Sequence, residues 1–176
     1  YICDKLYPEF ASRIAISDLG DKFPNNSISV NSYDDDNVKL INDEYNRLKS
    51  YYKNLDKKRE DREKTLLSDI TFSRQKIELY KLGIIVDLTN QYLENKYSVV
   101  IFVNFSKSIE LLSELLNTKC IVWGNQTLEE REKNIRRFQK NKEKIIICNI
   151  QAGGQSISLH DEKGGHPRVS LIIPSY

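Results

Sequence analysis

Methionine is absent from the 176 residues, and the chain opens on Tyr1. Both are expected of a piece of a longer protein, in which neighbours in this numbering need not all be covalent neighbours. Cysteine is scarce: Cys3, Cys120 and Cys148 are odd in number. Two of them fall in predicted strands, where Cys acts as a small buried apolar residue, and a reducing compartment fits. The only histidines, His160 and His166, stand six apart in a glycine-containing loop with no cysteine at metal spacing, so no metal site is expected. No run approaches the roughly 20 apolar residues that span a bilayer, and no charged, apolar, small-residue order marks a signal peptide. The expectation is a soluble, intracellular protein with no membrane partner; for a viral protein, that means host cytoplasm or virion. Excess charge of one sign is also lacking. The net charge of +2 is too small to imply nucleic acid by itself, so any such binding must come from a local patch.

What is present is unevenly distributed. Charged residues are 30% of the chain and hydrophobic ones 39%, but charge is piled into the middle and apolar runs come late. That pattern predicts one small domain plus an appendage. Residues 1–37 are irregular, punctuated by Pro8, Gly20, Pro24, Asn25 and Asn26, and closed by Asp34-Asp35-Asp36. The acidic triplet reads as a solvated turn or helix N-terminus. From Val38 the apolar residues Ile41, Tyr45, Leu48, Tyr52 and Leu55 step alternately by four and three, the seam of a coiled coil or helical hairpin. A helix reaching about Lys64 is expected, or else a hairpin whose tip is the charge-alternating stretch Asp56 to Lys64. The seam is also a candidate for self-association. Helical stretches at Ile70–Leu82 and Ile84–Leu93 follow.

The last third alternates. Val99 to Val103 is a continuous β-branched and apolar run, suited to a central parallel strand buried on both faces. Ser106 is expected to cap a helix carrying Ile109, Leu112, Leu115 and Leu116 on one face. Cys120–Trp123 reads as a second strand, and Thr127-x-x-Glu130 as a capping box opening a helix with Ile135 and Phe138 turned inward. Ile145–Cys148 and Val169–Ile173 read as the third and fourth strands. Strands and helices alternating at this length predict a parallel sheet with right-handed crossovers.

Three segments carry a resemblance. They are Val99-Val100-Ile101-Phe102-Val103-Asn104-Phe105-Ser106, Gly124-Asn125-Gln126-Thr127-Leu128-Glu129-Glu130-Arg131 with Phe138 after it, and Ala152-Gly153-Gly154-Gln155-Ser156-Ile157-Ser158-Leu159. In this order and spacing the chain resembles the second RecA-like lobe of a superfamily 2 helicase, nearest to viral and phage Swi/Snf-like types. The segments look like motif IV, the stretch before motif V, and motif V. The resemblance implies a truncated RecA-like parallel sheet over residues 96–176, with residues 1–95 an inter-lobe connector bearing the helical insertion; a weaker match at Ser73-Arg74-Gln75-Lys76-Ile77-Glu78-Leu79 extends the resemblance into that connector. It implies nucleic-acid contact, DNA or RNA, through Asn104, Phe105, Ser106, Gly124, Gln126, Thr127, Gly153, Gly154 and Gln155. Gly154 and Ser156 would face the nucleotide, with ATP and Mg2+ held mainly by a first RecA-like lobe of the same parent. The chain departs from the family at Ile150, where a threonine is usual, and at Ser156, where glycine is frequent; Ser156 then supplies a hydroxyl instead.

No Gly-x-x-x-x-Gly-Lys-Ser/Thr occurs, so there is no loop to cradle β and γ phosphates. The arginines that the family places after motif V are not found either. The parent is therefore expected to be an ATP-dependent helicase, while this stretch alone should not hydrolyse ATP and has no catalytic residue of its own. The competing reading is a non-catalytic RecA-like module that binds nucleic acid or protein and assembles through its helices. Arg131, Lys133, Arg136, Arg137, Lys140, Lys142 and Lys144 form either a solvated outer face or a backbone-tracking patch.

Overall fold

With β-branched or aromatic side chains at every position from Val99 to Val103, neither face of that strand can be turned to water. The fold buries it at the centre of a four-stranded sheet. A computed structural model describes residues 28–34, 36–55, 63–153 and 157–174, excepting the side chains of 54, 55, 63–66 and 153. The strands are β1 (Ser98–Val103), β2 (Ile121–Val122), β3 (Ile145–Asn149) and β4 (Arg168–Ile172), in the order β2-β3-β1-β4 and all parallel. Val100 pairs with Ile146 on one side and Ser170 on the other. The second strand is shorter than its sequence suggests. Cys120 and Trp123 flank it, and Trp123 N–H turns away to the side-chain oxygen of Gln126.

Helices cover both faces. Helices α3 (Leu82–Glu94) and α4 (Ser106–Leu115) place Leu82, Ile85, Ile109 and Leu112 against Val99, Ile101, Val103 and Ile147. On the opposite face, α5 (Leu128–Gln139) sets Phe138, with Ile135 beside it, against Val100, Val122, Ile146 and Cys148. Ile157 and Leu159 pack on that second cluster. Helix α3, which precedes residue 96, thus contributes to the sheet's core.

The two units into which the chain divides are Tyr1–Ser32 and Tyr33–Tyr176. Of the first, residues 28–32 carry neither helix nor strand. In the second, α1 (Val38–Leu55) and α2 (Glu63–Tyr80) form the hairpin, and α2 continues into α3 through a bend at Lys81. Asn37 Nδ2 donates to Tyr80 O at 3.2 Å, Lys76 Nζ to Glu44 Oε1 at 3.2 Å and Arg74 Nη2 to Tyr52 Oη at 2.6 Å, an order that makes the pair antiparallel. The helix expected to reach Lys64 is described from Val38 to Leu55, and most of the charged tip, 56–62, lies outside the described residues.

The seam is only partly as expected. Leu48, Ile70 and Ile77 form its buried centre, with Ile41, Tyr45 and Tyr51 against them. Tyr52 is instead 41% exposed, its hydroxyl engaged by Arg74. Glu44 takes an inward position the apolar stepping does not reveal. Its buried carboxylate is paired with Lys76 and Arg47, which offsets the cost of burying a charge.

Candidate nucleic-acid interface

In an all-parallel sheet every strand ends on the same edge, and open α/β sheets bind ligands in the crevice outside the carboxyl ends of their strands. Asn104, Phe105 and Ser106 follow β1 at that edge. Next to them, β3 runs directly into a four-residue helical turn, α6 (Ile150–Gly153), so Gly153 closes a helical turn. Gly154, Gln155 and Ser156 lie outside the described residues. Gly124, Gln126 and Thr127 follow β2 at the same edge.

The loop after β1 is tied down by a residue of α2. Glu78, on α2 and only 2% exposed, accepts from Asn104 N at 2.9 Å and Asn104 Nδ2 at 2.8 Å through Oε2, and from Phe105 N at 3.1 Å through Oε1. This corrects the capping expectation for Ser106. Phe105 is the N-cap of α4 with no side-chain cap, Ser106 is its exposed first residue, and the carboxylate beside Phe105 comes from Glu78. A carboxylate there complements the positive end of the helix dipole. Asn104 O in turn accepts from Asn149 Nδ2 at 2.9 Å, and Asn149 Oδ1 accepts from Gln151 N at 3.0 Å.

The capping box that opens α5 is built as the sequence indicates. Thr127 Oγ1 accepts from Glu130 N at 3.2 Å while Glu130 Oε2 accepts from Thr127 N at 3.0 Å, closing the capping box. Gln126 holds the preceding turn through Trp123 N–H at 3.2 Å, and a Cβ on Gly124 would meet nothing within 4 Å. Of the basic residues on α5 and its exit, several are engaged within the fold. Arg131 donates to Ala152 O and so ties α5 to α6. Arg136 pairs with Glu132 at 3.3 Å, Arg137 pairs with Glu143, and Lys144 Nζ lies 2.8 Å from His166 Nδ1.

The opposite edge of the sheet carries the loop that returns to β4. Gly164 and Gly165 turn it with φ of 73° and 83°, a region L side chains avoid. Asp161 accepts from Asn141 Nδ2 at 2.6 Å, from His166 N at 2.8 Å and from Lys163 N at 3.0 Å, and stands 3.9 Å from the guanidinium of Arg168. Burial pushes its carboxyl up, but these donors and Arg168 outweigh that and hold it at about 2. Arg168 also lies 4.2 Å from the Phe138 ring centroid and donates to Phe138 O at 3.0 Å. Both histidines are loop hydrogen-bonders, His160 meeting Ser158 Oγ at 2.6 Å. Burial pushes the Cys120 and Cys148 thiols up to about 12, so neither serves as a nucleophile at neutral pH. No cluster of three metal-ligating side chains occurs among the described residues. No described helix is long and apolar enough to cross a membrane.

Comparison with known proteins gives this edge its context. The chain is 43% identical over 164 residues to a putative ATP-dependent RNA helicase of Acanthamoeba polyphaga mimivirus, an alignment covering 93% of the chain and 30% of that viral protein. It is 34% identical over 87 residues to a pre-mRNA-splicing ATP-dependent RNA helicase of Debaryomyces hansenii, covering 46% of the chain and 13% of that protein. The chain thus spans less than a third of the length of either relative. Over residues 80–162 the chain matches the helicase conserved C-terminal domain, on a parallel sheet with helices on both faces.

Proposed function

We infer that the chain is the second motor lobe of an ATP-dependent helicase or translocase, with RNA as its nucleic acid. The carrying observation is that Asn104–Ser106, Gly124–Thr127 and the turn ending at Gly153 share one sheet edge, the first and last on hydrogen-bonded neighbours β1 and β3. RNA is favoured because both relatives are named RNA helicases. Residues 1–95 act as connector and insertion and 96–176 as the lobe, to which α3 adds its apolar face. Asn104 and Phe105 shape the edge, since their N–H groups are taken by Glu78. Ser106, Gln126 and Thr127, with Gly153, Gly154 and Gln155, meet the phosphates. Gly154 and Ser156 close over ATP and Mg2+ held by a first lobe.

Fluorescence anisotropy with a labelled single-stranded RNA, titrated at several salt concentrations, tests this. Salt-sensitive binding that Ser106→Glu weakens without shifting the melting temperature is the expected result. Affinity untouched by that charge, or a preference for DNA of the same sequence, would overturn the assignment of the edge or of the substrate respectively.

A further inference from the structure

We propose, on the reading of the chain as a motor lobe, that Glu78 is a positioning residue that sets the spacing of the two phosphate-facing loops and couples it to the helical hairpin. A buried carboxylate needs donors for its lone pairs, and Glu78 finds its three in the loop after β1: Asn104 N, Asn104 Nδ2 and Phe105 N. Asn104 passes the constraint on, because its carbonyl accepts from Asn149 at the end of β3 and Asn149 holds Gln151 N in the next turn. One chain of hydrogen bonds thus runs from α2 through the end of β1 to the start of α6. Charge-assisted bonds of this kind are the strong ones, so the two loops keep their separation only while α2 keeps its place.

The same carboxylate explains why the hairpin belongs to the motor. Lys76, two residues before Glu78 on α2, pairs with Glu44 of α1, and Ile77 beside it fills the hairpin core. A tilt of α1 against α2 would therefore be felt at Asn104 without any contact between hairpin and RNA.

Glu78→Gln is close in size, but it loses the charge and turns a donor toward one of the N–H groups. RNA affinity by anisotropy, the melting temperature, and amide exchange at Asn104, Phe105 and Gln151 are measured together on the 176-residue chain. The expected result is affinity about tenfold weaker, a melting temperature lower by only a few degrees, and faster exchange at those three amides only. Unchanged affinity with the three amides loosened would overturn the proposal and leave the motor reading standing. Absence of RNA binding by the unsubstituted chain would instead overturn the motor reading, and the proposal with it. Should Glu78→Gln unfold the lobe, Asn149→Ala cuts the relay with the carboxylate in place. A fall in affinity there supports the proposal, and no change overturns it.

Discussion

Asp161 holds four positive or donor groups around one carboxylate, and the sign of its contribution follows directly. Its folded value of about 2 lies below the roughly 3.9 of an unperturbed Asp. It therefore adds stability that is complete above about pH 4 and is lost as pH falls through about 2. Asp161→Asn should lower the urea midpoint at pH 7 and match the unsubstituted chain near pH 2; an equal deficit at both would show that packing, not charge, is responsible. Thr127 offers a cleaner separation of roles. Aspartate is as good an N-cap as threonine and its charge suits the helix N-terminus, so Thr127→Asp should keep stability within about 0.5 kcal/mol. If Thr127 also faces phosphate, the same change should weaken RNA binding. Stability and affinity falling together would place Thr127 in the fold alone.

At the scale of elements, the hairpin's buried apolar centre among the described residues is Leu48, Ile70 and Ile77. Leu48→Asp would set an unpaired charge among them and should cost several kcal/mol, roughly 3 or more, seen as a lower circular-dichroism melt. A melt that does not move would make the hairpin a free arm. The strands of the lobe were legible because their signal is local: an unbroken apolar run is needed wherever both faces are covered. So was the capping box, whose two partners stand three residues apart. Glu78 as a tether was not: the weaker match at Ser73 to Leu79 contains it, but its partners lie 26 and 27 residues away and nothing near it in sequence names them. The Tyr52 expectation failed for a related reason. A four-three stepping fixes a stripe on one helix, but whether Tyr51 or Tyr52 turns in depends on where α2 lies across from it. Ser106 has the right chemistry for a cap one residue past the position where the cap falls.

For the molecule as a whole, the described residues of the sheet edge supply backbone and short polar groups but no cradle for a triphosphate. A γ-phosphate in transfer needs its charge neutralised by a lysine-bearing loop, magnesium and commonly an arginine, and this sequence contains no such loop. Binding and turnover should therefore separate. The chain should bind RNA with a shallow salt slope, because a few phosphate contacts at about 0.7 each are all that two or three loops can make. Its net charge of +2 adds little steering. The same preparation should release no inorganic phosphate from ATP and magnesium, with or without RNA, while a protein joining it to a first RecA-like lobe should turn over ATP faster when RNA is added. The decisive measurement is phosphate release on both, across column fractions so that a contaminant cannot stand in for the chain. Turnover that tracks the 176-residue chain through every fraction would mean that its own residues hold and activate the nucleotide, and the division of labour between two lobes would have to be abandoned.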